Sequence, residues 1–360
     1  MTAAKGQTAA RTGPVAVRVE LGARGYEIVI GTGLLDEAGH RIARLKPGAA
    51  AAVVTDETVA KLHLPRLERA LAAADIRASK VVVPPGEGSK NFAMLERVVD
   101  AILAAKIERG DLVVAFGGGV VGDLAGFAAA VARRGIEFVQ IPTTLLAQVD
   151  SSIGGKTGIN SRHGKNLVGS FHQPALVIAD TDLLDTLPPR EFRAGYSEVA
   201  KCGLINDAPF FAWLEANWRE VFAGGEARIH AVATCCRAKA AIVGRDERES
   251  GERALLNFGH TFGHALETAT GFSDRLRHGE AIAIGSVLAF RLSARLGLCD
   301  PAEEKRVAAH LAAVGLPTRL SQVAGQLPDT DGLLALMAQD KKVRRGVLVF
   351  VLARGIGKAF

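Results

Sequence analysis

The sequence is poor in cysteine and in aromatic residues, and each scarcity excludes a class of protein. Only four cysteines occur in 360 residues, and none is spaced as C-x-x-C, so we expect a reduced cytoplasmic protein and no disulfide scaffold. Aromatic residues make up 5% of the chain, which leaves little surface for stacking nucleic-acid bases. The net charge is +6, but basic residues are interspersed with acidic ones, so we expect no nucleic-acid partner.

The chain also lacks an obvious signal peptide and an uninterrupted membrane-length segment. Residues 1–13 are polar and Ala-rich, without the apolar stretch that a secretory signal requires. The longest apolar stretch, residues 112–132, contains Asp123 and several glycines, which argues against a membrane span. We therefore expect no membrane partner.

The first half of the chain alternates short β-branched runs with helical patterns. Such alternation predicts a mostly parallel sheet with helices on both faces, and sites in such sheets lie beyond the carboxyl ends of the strands. The predicted strands are 15–21, 27–30, 51–55, 80–83, 112–116, 138–141 and 175–179, and clear helices between them are 92–106 and 120–133.

The pattern changes after about residue 186. Apolar residues then recur at helical spacing, which predicts a second, all-helical domain. Its clearest helices are 210–222, 227–243, 260–270, 280–296 and 301–314, and a short strand is expected at 346–352. The predicted domains are thus residues 1–186 and 187–360.

Two glycine-containing loops follow predicted strands. Residues 117–122 read G-x-G-x-x-G between a strand and a helix, a pattern in which the backbone can approach a phosphate at a helix N-terminus. A plain tight turn is an equally good interpretation of this pattern. Residues 85–90 form the second loop, which could help to hold a nucleotide.

The segment 148–160 and the short run 164–166 place two lysines beside glycines and small hydroxyl residues. This composition suits recognition of phosphate or carboxylate groups. It is not a Walker loop, because the spacing between its glycines is wrong. A polar surface loop with solvated lysines remains an alternative.

The helical half contains possible metal ligands. His260 and His264 are one helical turn apart and share a helix face, and Glu198 and His278 offer further ligands. Two or three histidines with one carboxylate are typical of a catalytic zinc site, although structural histidines are an open alternative. Because Thr261 stands where H-E-x-x-H requires glutamate, the pattern does not indicate a metalloprotease.

Together these motifs resemble the 3-dehydroquinate synthase family, within the sugar phosphate cyclase superfamily. The segments that carry the resemblance keep their order between residues 53 and 342. They are 85–90, 117–123, 141–166, 171–174, 187–191, 195–203, 257–267 and 278–280. The resemblance implies an N-terminal Rossmann-like α/β domain, a C-terminal helical domain, and an active site in the cleft between them.

The resemblance also implies a carbon–oxygen lyase that uses NAD and one divalent metal, zinc or cobalt. Its reaction would convert 3-deoxy-D-arabino-heptulosonate 7-phosphate into 3-dehydroquinate and phosphate, the second step of the shikimate pathway. The implied sequence is transient oxidation by NAD, phosphate elimination, re-reduction and intramolecular aldol closure. Another sugar phosphate cyclase and a metal-dependent polyol dehydrogenase are the alternatives.

Site residues follow from the resemblance, position by position. The implied metal ligands are Glu198, His260 and His278, and not His264. Residues implied to act on the anionic sugar-phosphate substrate are Asp150, Lys156, Asn166, Lys201, Lys239, Arg253, Asn257, His264 and Lys342, with Arg134 supplied by the other subunit of a homodimer. The implied NAD contacts are Asp56, Glu87, Lys90, Gly118, Gly119, Val120, Asp123, Thr143, Thr144, Lys156, Lys165, Leu183, Leu184, Asp185 and Thr186.

Overall fold

The structure is a computed structural model that describes residues 13–338, 343–344 and 347–360. Its strands are β1 (Val15–Val19), β2 (Tyr26–Gly31), β3 (Ala51–Asp56), β4 (Ala78–Val83), β5 (Leu112–Gly117), β6 (Glu137–Pro142), β7 (Lys156–Ser161), β8 (Gly164–Phe171), β9 (Leu176–Asp180), β10 (Val343–Arg344) and β11 (Val347–Leu348). Its α-helices are α1 (Leu34–Leu45), α2 (Glu57–Ala72), α3 (Phe92–Ala104), α4 (Gly119–Val131), α5 (Pro189–Asn206), α6 (Ala208–Ala223), α7 (Gly225–Arg245), α8 (His260–Ala269), α9 (His278–Arg295), α10 (Pro301–Val314) and α11 (Thr330–Ala338). Of the predicted strand 346–352, the described residues 347–352 form a strand only at β11, and the other predicted strands and helices are confirmed with small shifts of their ends.

One seven-stranded sheet lies at the centre of the first half, with the order β1-β2-β9-β6-β5-β3-β4. Every pairing is parallel except that of β1 with β2. The carboxyl ends of β5 and β6 are therefore neighbours, and Gly117 pairs with Pro142. This places the glycine turn after β5 beside the segment that follows β6.

The segment after β6 is more ordered than the polar surface loop that its composition allows. Residues Ala147–Ser151 form a π-helical turn, and β7 and β8 form an antiparallel hairpin. The hairpin packs on α4, where a Cβ added at Gly126 would lie 2.5 Å from Thr157 Cγ2. The surface-loop interpretation is wrong because small residues let this hairpin pack against α4, a tertiary contact that the local sequence pattern does not show.

The two faces of β2 belong to different cores, because successive side chains of a strand point in opposite directions. Val29 packs with α1 and α2, whereas Ile28 and Ile30 pack with residues of α5, α7 and α9. The helical half is thus built directly onto the sheet. At the contact, a Cβ added at Gly195 of α5 would lie 2.7 Å from the backbone nitrogen of Leu146, just after β6.

The seven strands of the sheet all end before the 3-10 turn Thr181–Thr186, and α5 begins at Pro189. We propose residues 1–186 and 187–360 as the two structural units, because the layered α/β part ends at this turn. Among the helices described, no segment is both long enough and apolar enough to cross a membrane.

Candidate active site

Three side chains from three helices converge beside the segment that follows β6. Glu198 lies on α5, His260 is the first residue of α8, and His278 is the first residue of α9. One ligand atom of each lies within 4.8 Å of the others. Glu198 Oε1 is 3.9 Å from His260 Nε2 and 3.6 Å from His278 Nε2.

The second nitrogen of each imidazole fixes the ring orientation. His278 Nδ1 donates to Glu267 Oε2 at 3.1 Å, and His260 Nδ1 donates to the carbonyl oxygen of Phe258 at 3.1 Å. Nε2 of each ring is therefore the atom on the Glu198 side, and it would give up any proton it carries and offer its lone pair when a metal ion binds. This is the arrangement that histidine ligands of metal ions adopt in proteins.

Glu198 is buried, and within the described residues neither of its carboxylate oxygens has a well-aligned hydrogen-bond donor, although Lys201 Nζ forms an ion pair with Oε2. Burial favours a raised pKa, but Lys201 and His278 outweigh it and hold the pKa of Glu198 below its usual value. A buried carboxylate without hydrogen bonds is costly. A divalent cation bound by one carboxylate and two imidazoles would remove that cost, so these residues fit zinc or cobalt.

His264 is not one of the three converging residues, although its sequence spacing places it on the same helix face as His260. The two rings contact each other edge to face, with centroids 5.2 Å apart. His264 also lies 6.3 Å from the His278 ring, centroid to centroid. His264 therefore borders the trio without supplying one of its three converging ligand atoms.

A second ion pair lies next to the trio. Lys239 Nζ donates to Asp150 Oδ1 at 2.7 Å and to the carbonyl oxygen of Asp150 at 2.6 Å. Burial favours a raised pKa for Asp150, but Lys239 and Lys201 outweigh it and hold the pKa well below its usual range. Burial also lowers the pKa of Lys239, and Asp150 opposes that change. An ionised carboxylate and two buried amines therefore share one cavity with Glu198.

Arg253 supplies a further cation and is 1% exposed. Its Nη2 donates to the carbonyl oxygen of Gly154 at 3.0 Å and its Nη1 donates to the carbonyl oxygen of Glu247, whereas its Nε has no hydrogen-bond partner among the residues that the structure describes. The amide of Gly154 donates to the Tyr26 hydroxyl at 2.9 Å. Arg253 thus lies beneath the turn that leads into Lys156.

Glu249 belongs to this group, although the sequence analysis did not select it. Glu249 Oε2 forms an ion pair with Lys156 Nζ, and Glu249 Oε1 accepts from Asn257 Nδ2 at 2.7 Å. Its backbone has φ of +59°, an uncommon conformation for a residue other than glycine. One acid in a run of mixed charges carries no sequence signal that distinguishes it.

The glycine turn after β5 packs tightly against the segment after β6. Thr143 donates its amide to the carbonyl oxygen of Gly117 at 3.0 Å. A Cβ at Gly118 would lie 3.0 Å from Thr144 Cγ2, and one at Gly119 would lie 2.9 Å from Ser151 Oγ. The close packing is what a tight turn requires, and the partly accessible backbone leads into the N-terminus of α4, so a phosphate contact at this turn stays a prediction.

The β7–β8 hairpin connects this turn to the loop after β4. Lys90 Nζ forms an ion pair with Asp123 Oδ2 at 2.6 Å and donates to Asn166 Oδ1. Lys165 Nζ lies 3.7 Å from Glu87 Oε2 and 3.6 Å from Glu267 Oε1. The residues expected to hold NAD therefore adjoin the carboxylate that orients His278.

The remaining predicted NAD contacts lie on two separate elements. Asp56 ends β3 and accepts the amides of the first turn of α2. Leu183 and Leu184 are buried in the 3-10 turn, so they would offer backbone atoms to a ligand. Asp185 pairs with Arg228 at 2.6 Å, and Thr186 Oγ1 is 2.8 Å from His63 Nε2.

In the described part of the chain, the predicted residue Arg134 makes no contact with the trio. Arg134 is exposed and follows Arg133, with φ of +66° and +49° respectively, two consecutive left-handed residues at the end of α4. Lys342 lies outside the described residues. The other predicted substrate residues adjoin the metal trio, the glycine turn or the hairpin between them.

Comparison with known families matches nearly the whole chain. A model of the 3-dehydroquinate synthase N-terminal region matches residues 80–194, and a model of the C-terminal region matches residues 195–343. A 3-dehydroquinate synthase of Rhodopseudomonas palustris is 64% identical over 350 residues, covering 96% of this chain and 92% of its own. That of Brucella anthropi is 62% identical over 345 residues, covering 96% and 91%.

Solved structures with the same fold include two cyclases. The 2-epi-5-epi-valiolone synthase of Streptomyces hygroscopicus, with NAD+ and Zn2+ bound, is 32% identical with a TM-score of 0.85 and coverage of 93% and 91%. A 2-deoxy-scyllo-inosose synthase with carbaglucose-6-phosphate, NAD+ and Co2+ is 26% identical with a TM-score of 0.86 and coverage of 96% and 94%. Sulfoacetaldehyde reductase from Bifidobacterium kashiwanohense, at 17% identity and a TM-score of 0.67 with coverage of 90% and 93%, shares the fold.

Proposed function

The chain belongs to the 3-dehydroquinate synthase family, and we propose that its cleft converts 3-deoxy-D-arabino-heptulosonate 7-phosphate into 3-dehydroquinate and phosphate. One observation supports this beyond family membership, namely that the buried cations Lys201 and Lys239 line the same cavity as Glu198 of the metal trio, with the buried Arg253 beneath the turn that leads into Lys156. A polyol dehydrogenase has no phosphate to expel and no carboxylate to hold, so it would not need these cations.

The proposed metal ligands are Glu198, His260 and His278. Glu267 and the carbonyl oxygen of Phe258 hold the two rings with Nε2 toward Glu198. A bound zinc or cobalt ion would polarise a substrate hydroxyl and make its oxidation easier. Because Lys201 pairs with Glu198, it sets the charge beside the ligand and offers an N–H donor toward the same side of the cavity.

The proposed NAD site lies where the carboxyl ends of β3, β5 and β6 meet the hairpin. The amides that begin α4, at Gly119 and Val120, suit the pyrophosphate. Glu87, Lys90, Asp123, Thr143, Thr144 and Lys165 border the same region, and Asp56 and residues 183–186 extend it. NAD would accept a hydride from the substrate and return it later, so that the cofactor is unchanged after each turnover.

The charged and amide side chains around the cavity have distinct proposed tasks. Lys156, Asn257 and Arg253 would bind the anionic ends of the substrate, because charge-assisted hydrogen bonds are the strong ones in such sites. Preformed donors of this kind stabilise the negative charge that develops as phosphate leaves. Asp150 stays ionised beside Lys239, and its carboxylate would accept a hydrogen bond from a substrate hydroxyl. Asn166 completes this set from β8.

His264 is proposed to hold and move a proton. Its ring borders those of His260 and His278, yet its atoms do not converge with theirs on one point. An imidazole can both donate and accept a proton, which suits a group beside the metal trio. Removing its ring would therefore slow turnover without removing the metal.

We also propose that the active unit is a cytoplasmic homodimer. The two consecutive left-handed residues Arg133 and Arg134 hold the Arg134 side chain outward. Residues other than glycine rarely adopt this backbone conformation, and such strained positions cluster at functional sites. A second copy would receive Arg134 at the edge of its own substrate site, and Lys342 would supply a further cation.

Phosphate release is the test of this function. The enzyme is mixed with the proposed substrate and sub-stoichiometric NAD, with and without a chelator, while NADH absorbance is followed. Release of many phosphates per NAD, sensitive to the chelator and without NADH accumulation, is expected. Absence of release with activity on another sugar phosphate would indicate a sister cyclase, and steady NADH production from a polyol would indicate a dehydrogenase.

A further inference from the structure

Two arginine–glutamate pairs connect the start of α5 with the start of α9, and none of the four residues has a role in the proposed function. Arg190 Nε and Nη2 donate to Glu280 Oε1 and Oε2 at 2.6 and 2.8 Å. Arg277 Nη1 forms a second ion pair with Glu191 Oε1. The two pairs cross between the same two segments, because residues 190–191 and residues 277–280 each contribute one arginine and one glutamate.

Both pairs lie at the starts of the helices that carry proposed metal ligands. Arg190 and Glu191 are in the first turn of α5, and Glu198 follows roughly two turns later. Glu280 is in the first turn of α9, which begins at His278. Glu280 Oε2 also accepts the backbone amide of Arg277 at 2.9 Å, so the same carboxylate caps the start of α9 and pairs with an arginine of α5.

Backbone contact lies between the ion pairs and the ligands. A Cβ added at Gly279 would lie 1.8 Å from the carbonyl oxygen of Ala194, so α9 begins directly against α5. His278 is the first residue of its helix and has no helical turn before it. A small rotation of the start of α9 would therefore change the 3.6 Å separation between His278 Nε2 and Glu198 Oε1.

We propose that the Arg190–Glu280 pair, supported by Arg277–Glu191, is a clamp that positions His278 against Glu198 and thereby sets the affinity for the divalent metal. This inference rests on the ligands proposed above. Arg190 and Glu280 act as positioning residues, because they contact each other and not the ligand atoms. Changes outside the ligand set typically reduce metal affinity 10–100-fold when they disturb ligand orientation.

The test measures Co2+ affinity by competition with a chelator, read from the cobalt absorbance bands. The variants are Arg190→Gln, Glu280→Gln and the double variant. Glutamine at 280 can still accept the amide of Arg277, so the helix start is retained. We expect each single variant to weaken Co2+ binding about 10–100-fold. The double variant should bind Co2+ as tightly as the single variant with the lower affinity, because the same interaction is lost in all three proteins.

Arg306 and Glu215 provide the matched control. They form a two-point pair between α10 and α6 at 2.9 and 2.6 Å, with a similarly half-exposed arginine. Arg306→Gln should leave Co2+ affinity unchanged. Wild-type affinity in Arg190→Gln and Glu280→Gln, or an equal loss in Arg306→Gln, would overturn the clamp.

One further variant separates failure of the clamp from failure of the metal site. His260→Ala should abolish specific Co2+ binding. If His260→Ala binds Co2+ as the wild type does, the proposed ligands are wrong and the clamp falls with them. Loss of binding in His260→Ala, together with wild-type affinity in Arg190→Gln, overturns the clamp alone. If Glu280→Gln does not fold, Arg190→Gln decides the question, since its side chain is 45% exposed.

Discussion

Glu267 accepts a hydrogen bond from His278 Nδ1 at 3.1 Å through Oε2, while its Oε1 lies 3.6 Å from Lys165 Nζ. Burial favours a raised pKa for Glu267, but His278 outweighs it and holds the pKa at about 2. Burial conversely favours a lowered pKa for His278, and Glu267 and Glu198 raise it to about 10. One buried carboxylate therefore joins the metal trio to a lysine of the proposed NAD site.

Replacing Glu267 should weaken metal binding. Glu267→Gln keeps a hydrogen-bond acceptor for His278 Nδ1 but removes the charge, so the ring becomes a poorer ligand. We expect metal affinity to fall about 10–100-fold, measured by chelator competition. Glu220→Gln, an exposed change on α6, is the control. Unchanged affinity in a folded Glu267→Gln protein would show that Glu267 does not tune the ligand.

The two neighbouring histidines of α8 should separate metal binding from turnover. His260→Ala removes a proposed ligand and should lose metal and activity together. His264→Ala should keep the metal and lose turnover by about 10²–10⁴-fold, the usual contribution of a positioned proton donor or acceptor. Metal content by elemental analysis and phosphate release give the two readings. Equal metal content in wild type and His260→Ala would refute the ligand assignment.

Glu249 should matter for substrate binding although it touches no proposed metal ligand. Glu249→Gln can still accept from Asn257 but loses the ion pair with Lys156. Because a small misplacement of a binding group can cost up to about 10²-fold, we expect kcat/KM to fall about 10–100-fold with metal content unchanged. Glu252→Gln, which disturbs only the exposed pair with Arg245, should behave as wild type. A Glu249→Gln enzyme with full activity would exclude this task.

The turn after β5 should tolerate no side chain at residue 119. In Gly119→Ala the new Cβ would lie 2.9 Å from Ser151 Oγ, and overpacking of this size costs about 1–3 kcal/mol. The start of α4 would move, and NAD affinity should fall about tenfold or more, measured by fluorescence titration. Gly110→Ala is the control, since nothing lies within 4 Å of its Cβ. NAD affinity equal in both variants would contradict the placement of the cofactor.

His310 should make the fold sensitive to mild acid. Burial lowers the pKa of His310 to about 4, and Tyr196 OH lies 3.1 Å from its Nε2. The unfolded chain, with a pKa near 6.5, binds this proton first. Stability is therefore fully present above about pH 6.5 and is lost as the pH falls toward 4, by up to about 3 kcal/mol.

The pH effect of His310 is measured by urea unfolding at pH 7.5 and pH 4.5. His310→Gln keeps a hydrogen-bonding partner for Tyr196 and should lose less stability between these two values than the wild type. His230→Gln, at an exposed histidine of α7, serves as control. Identical pH dependence in wild type and His310→Gln would show that His310 does not titrate on unfolding.

Much of the secondary structure could be predicted because it depends on short-range patterns. The parallel strands are short apolar runs that end at glycine, proline or aspartate, as at Phe116 and Asp180. The helices of the second half repeat their apolar residues at a helical period. The β7–β8 hairpin could not be read in this way, because its glycines and polar residues blur the alternation and its order comes from packing on α4.

The site was predictable only in part. The spacing of His260 and His264 correctly placed two imidazoles on one face of α8, and the resemblance named His278 as the further ligand. Neither spacing nor resemblance selected Glu249, Glu267 or the Arg190–Glu280 pair. Each of these is a single charge in an ordinary charged segment, and its partner lies on another element.

The sequence by itself determined where strands and helices form, where the glycine turns lie and which residue types are available for a metal and an anion. The tertiary structure decided which of them meet. Glu198 faces His260 and His278 because α5, α8 and α9 pack at contacts where glycine allows backbones to touch. Local periodicity acts over a few residues, whereas such meetings depend on helix packing and on buried charges that need partners.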